Sequence, residues 1–114
     1  MKQFTHPSPA LAKRIMTEVD FESRFLGYRL HKRLGPVASS LYSVAEVVAF
    51  LSEEMPLIDF EALLKWIRDT IGDNDLGQAI EAAIKSDSSD LEKTRHVRNL
   101  MYTRLVQCKK ITSS

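Results

Sequence analysis

Apolar residues return at helical spacing along nearly the whole chain, and the glycines and prolines that could break that rhythm stand at its joints. This punctuation constrains the fold strongly, because a sandwich or barrel needs many tight turns and only four glycines and four prolines are present. The expectation is an all-α protein, a compact bundle of about five helices with two long terminal ones. No run of alternating polar and apolar residues is long enough to nominate a strand. At least about 60% helix and no sheet is therefore expected, roughly double the usual helical share.

Ser8 and Pro9 make a good helix opening, since the serine oxygen can accept an orphan N–H and proline presets φ at the first position. From there Leu11, Ala12, Ile15, Met16, Val19, Leu26, Leu30 and Leu34 fall on one arc at about 100° per residue. One continuous helix to Leu34 accounts for that phase, and Gly35 with Pro36 stops it. A break near Asp20 into two shorter helices is the alternative, and it gives up the phase agreement between Val19 and Leu26.

Val37, Leu41, Val44, Val48, Leu51 and Met55 then advance in steps of four and three, the spacing of an a/d seam. Ser43 with Glu46 reads as a capping box, so this helix starts either at Pro36 or at Val44. It must end near Met55, because Pro56 disfavours helix before it. Asp59 caps a helix carrying Phe60, Leu63, Leu64, Ile67 and Ile71, closed by Gly72. Asp75 with Gln78 marks a fourth helix, 86–90 is a connection, and Ser89 with Glu92 opens a last helix to about Lys110. All 114 residues read as one domain, with 1–8 and 111–114 expected to be loose.

The net charge of +1 conceals a segregation along the chain. Residues 1–42 hold seven Lys or Arg against three Asp or Glu, 43–92 hold three against twelve, and 93–114 hold six against none. Either basic terminal helices pack beside an acidic middle and the charges answer one another, or the basic ends converge on an acidic partner. No apolar run approaches the roughly 20 residues of a membrane span, and the start lacks a secretory signal, so a cytoplasmic, non-membrane protein is expected.

Few residues carry a chemistry. Glu92 with His96 is a two-ligand pair where zinc wants three or four, Cys108 falls on an apolar helix face with no base nearby, and no phosphate-binding or nucleophile-elbow glycine motif is present. No catalytic residue, cofactor or metal is nominated, and an enzyme with a composite site between subunits ranks third among the readings.

Three groups remain. Phe21, Phe25 and Tyr28 follow i, i+4, i+7 on the expected first helix, flanked by Arg24 and Lys32, and three rings left in water call for a covering layer or a partner. Arg104 lies on the apolar side of the last helix, where a guanidinium needs a buried carboxylate from the acidic middle or from another subunit. Arg95, Arg98, Tyr102 and Lys109 share another face and suit phosphate contact. The favoured expectation is a non-catalytic protein-protein interaction or assembly protein that pairs with itself or with a protein partner, the alternative being nucleic-acid binding by the basic terminal helices.

Overall fold

The computed structural model describes residues 6–53, 56–86 and 89–113. It is 63% helical, so the expected helix content holds, but it contains a three-stranded antiparallel sheet and belongs to the mixed α+β class. The all-α expectation is thereby overturned. Element order is α1 (Pro9–Ile15), a 3-10 turn (Phe21–Ser23), β1 (Phe25–His31), β2 (Gly35–Leu41), α2 (Val44–Leu51), β3 (Pro56–Leu57), α3 (Phe60–Lys65) continuing as a π-helical turn (Trp66–Ile71), α4 (Asn74–Ser86) and α5 (Asp90–Thr112).

Four of the five expected helix caps form at the residues the sequence marks. Ser8 accepts from the Leu11 N–H at 3.2 Å, Ser43 from Glu46 at 3.2 Å, and Ser89 from Glu92 at 3.1 Å, so three helices start at the expected residues. Glu46 reaches back to the Tyr42 N–H at 2.9 Å and fixes the start of α2 at Val44. Asp59 caps α3 through the N–H groups of Glu61 and Ala62. Gly72, at φ +85°, ends the π turn by donating to the Ile67 carbonyl at 2.9 Å. The fourth helix starts two residues earlier than expected, at Asn74, because Asp73, not Asp75, accepts from the Leu76 N–H at 3.1 Å.

The first long helix does not form. α1 stops at Ile15, Asp20 caps the 3-10 turn by accepting from Ser23, and the stretch to Leu41 is a β-hairpin. A break near Asp20 does occur, but it leads into a strand and not into a second helix. The seam expected from Val37 is likewise split, with Val37 and Leu41 on β2 and only Val44, Val48 and Leu51 on α2. Met55, its expected end, lies outside the described residues, as do 1–5 and 114 of the expected loose ends and 87–88 of the expected connection. Ile111 and Thr112 still belong to α5.

Helices α1, α2 and α4 all pack on α5, whose buried line is Val97, Met101, Arg104, Leu105 and Cys108. Ile15, Val44, Val47, Leu63, Ile67, Ile71, Leu76 and Ile80 complete a core from which water is excluded. The hairpin joins this core at its base. Phe25 and Leu41 are buried, the Phe25 ring meets Trp66 at 5.7 Å between centroids, and the indole N–H donates to the Ser23 carbonyl at 2.7 Å.

Candidate interaction surface

The register of the sheet decides which side chains face away from the helices. β1 is central in the order β2-β1-β3, with Phe25 opposite Leu41, Leu26 opposite Ser40, Tyr28 opposite Ala38 and Leu57, and Leu30 opposite Pro36. Successive side chains on a strand point to opposite faces. Phe25 and Gly27 therefore face the core, and Leu26, Tyr28, Leu30, Pro36, Ala38, Ser40 and Leu57 make up the outer face. All seven are exposed or partly so, with Tyr28 at 40%, Leu30 at 49% and Leu57 at 41%.

The hairpin is anchored from below. A Cβ on Gly27 would lie 2.6 Å from the Phe50 ring, so only glycine lets β1 settle on α2. Arg29, on the inner side, sits over the same ring at 5.9 Å and pairs with Glu53 at 2.7 Å. At the far end His31 Nδ1 accepts from the N–H groups of Arg33 and Leu34, and Gly35 at φ +71° turns the chain back. Lys32, Arg33 and Leu34 form the tip, and Leu34 is 72% exposed.

The aromatic trio of the sequence is dispersed by this geometry. Phe25 is core, Tyr28 belongs to the outer face, and Phe21 lies on the 3-10 turn, 63% exposed, with the Arg24 guanidinium 3.8 Å above its ring. Arg24 also donates to Ser40 Oγ at 3.1 Å and to the Phe21 carbonyl at 2.7 Å, which ties the turn to the outer side of β2. Lys32 is at the tip, one strand length from Arg24. Leu26, Leu30, Leu34 and Leu57 were absent from the sequence-derived surface, the first three because helical phase assigns them to a core.

Arg104 is 1% exposed and forks Asp73, with Nε donating to Oδ2 at 2.7 Å and Nη2 to Oδ1 at 3.0 Å, and Nη1 donates to Gln107 at 3.0 Å. The carboxylate comes from the acidic middle segment. Burial pushes the neighbouring Cys108 thiol above its usual range, so it packs as a protonated hydrophobe.

Arg95 and Arg98 line one groove of about 750 Å³ between the end of α2 and the start of α5, together with Leu51, Pro56 and Leu91. Arg98 is engaged there by Ser52 at 2.9 Å and Asn99 at 2.8 Å, and the groove also holds the carboxylates of Glu53 and Asp90. Tyr102 is exposed farther along α5, and Lys109 nearly two turns beyond it. Across the molecule Glu81 takes a hydrogen bond from Arg68 at 3.2 Å with Lys85 nearby at 3.7 Å, which holds its carboxyl below the usual range. Several basic and acidic side chains thus answer one another locally. Among the described residues no three His, Cys, Asp or Glu gather as metal ligands, and no helix is long and apolar enough to cross a membrane. Comparison with protein-family models, with curated proteins and with solved structures finds no match for this chain.

Proposed function

We propose that this chain is a non-catalytic protein-protein interaction or assembly protein that docks through the outer face of its sheet. One observation carries the reading: of ten large hydrophobic side chains exposed among the described residues, four (Leu26, Tyr28, Leu30 and Leu57) lie together on this one face. Each of the four still exposes about two-fifths to one-half of its surface, so covering them is favourable at about 25 cal/mol per Å², and an apolar patch of this size is often a functional one. An exposed tyrosine on the face and an arginine beside it are residue types enriched at protein interfaces. The nucleic-acid alternative draws less support, because Arg98 is already held by protein groups and two carboxylates share its groove.

The test is a photo-crosslinking amino acid placed at Leu30, in the cells where the protein is native, with Lys85 on the helical body as the control position. A protein adduct at position 30 and none at 85 is the expected result. Equal labelling at both positions, or none at 30, overturns the docking role.

A further inference from the structure

We propose that the occupant of the outer sheet face is a second copy of this chain, packed face to face with its hairpin running in the opposite direction. This pairing presupposes the docking role above and adds the identity of the partner. What singles out a second copy is how charge is distributed along the hairpin. No acidic residue occurs between Glu22 and Glu46, so the tip carries Lys32 and Arg33 with no carboxylate from the hairpin itself. The base carries Glu18, Asp20 and Glu22 against Arg24 alone. These acids are held at the base because the Val19 N–H donates to the Tyr42 carbonyl at 2.7 Å, beside the Phe25 and Leu41 pair that closes the hairpin. Between the two ends lies the uncharged strip of Leu26, Tyr28 and Leu30, with Ala38, Pro36 and Leu57 beside it.

A two-fold axis that brings this face onto itself lies in the plane of contact, and its two limiting directions are along the strands and across them. An axis along the strands sets tip on tip and places Lys32 and Arg33 against their own copies, which is repulsive. An axis across the strands sets each tip on the other copy's base, so that Lys32 and Arg33 meet Glu18, Asp20 and Glu22, and symmetry makes every such contact twice. The seven residues of β1 span about 23 Å at roughly 3.3 Å each, long enough to keep the two ends separate. Burying the exposed portions of the outer-face side chains on both copies removes on the order of 1,000 Å², the lower bound for a specific interface. Among the described residues the helices pack on the inner side of the sheet and leave the outer face exposed.

The experiment is solution mass by light scattering, with two charge-reversed variants of exposed residues whose folds are checked by circular dichroism. One variant carries Lys32→Glu and Arg33→Glu, the other Glu18→Lys and Glu22→Lys. The native chain is expected to be dimeric at micromolar concentration, each variant alone to dimerise at least about tenfold more weakly through like charge at both contacts, and their equimolar mixture to regain the dimer because acid tip then meets basic base. A monomeric native chain, variants that dimerise like the native protein, or a mixture that stays monomeric overturns the pairing. The two proposals fail differently: an adduct at Leu30 whose mass is not twice that of the chain removes self-pairing and leaves the docking role, whereas no adduct removes both.

Discussion

Arg104 is the residue whose environment most limits what can replace it. Its guanidinium and the Asp73 carboxylate are each 1% exposed, so removing one leaves the other charged without water or partner. Arg104→Ala is expected to cost about 3 to 5 kcal/mol in urea denaturation, and Arg104→Lys to recover little, because an ammonium cannot make the two-point fork. Replacing both, Arg104→Met with Asp73→Leu, should restore most of the loss and leave a deficit of about 1 kcal/mol from the vacated cap on Leu76. A single Arg104→Ala cost below about 0.5 kcal/mol, as at an ordinary surface site, would contradict the burial. Cys108 gives a pH-dependent counterpart. A thiol whose pKa is higher in the folded state than in the unfolded one contributes stability that is complete below the unfolded value, about 8.5, and is lost as pH rises through the folded value. Stability should therefore fall above about pH 8.5, less steeply in Cys108→Ala, and alkylation of native protein at neutral pH should be slow. A Cys108→Ala profile that overlays the native one removes this account.

The hairpin is the element that sequence periodicity hid, and the reason is arithmetic. Leu26, Leu30 and Leu34 are spaced by four, which puts residues on one side of a helix and equally on one side of a strand, since four is a multiple of two. Gly35 and Pro36 were legible as a stop, but a stop and a reversal look alike without a partner strand in view. β2 adds almost nothing of its own, because Gly, Pro, Ala and two Ser make a poor strand by composition and are held by β1. By contrast Ser8, Ser43, Asp59, Gly72 and Ser89 were legible because a cap is decided within a few residues, and Arg104 because a cation on an apolar line demands a partner wherever the fold supplies one. The outer face was not, since the register that assembles it is a property of pairing. The hairpin has its own tests. Gly27→Ala drives a methyl into Phe50 and should cost about 1 to 3 kcal/mol, an amount reduced in a Phe50→Leu background. Gly35→Ala forces a side chain to φ +71° and should cost about 1 kcal/mol, with no relief from Phe50→Leu. Equal costs in both backgrounds would mean that Gly27 acts through backbone freedom alone.

At the scale of the molecule, a net charge of +1 and carboxylates beside Arg95 and Arg98 predict no measurable binding of random duplex DNA at physiological salt. Submicromolar binding that Arg95→Ala and Arg98→Ala both weaken, with a steep salt dependence, would reverse the ranking of interaction over nucleic-acid binding. The Asp73 and Arg104 fork has a further consequence for the order of events on the ribosome. Its partners are 31 residues apart, so at about 5 to 20 residues per second the carboxylate waits roughly two to six seconds for its cation to be made. Val97, Met101 and Leu105 arrive in the same delayed helix, and until then the inner sides of α1, α2 and α4 stand open. The hairpin is local and closes in about 1 to 10 μs once its residues are free, although two strands alone are marginal in water until Phe50 and Trp66 lie beneath them. Its outer apolar face is thus formed while the interior of the same molecule is still unsealed.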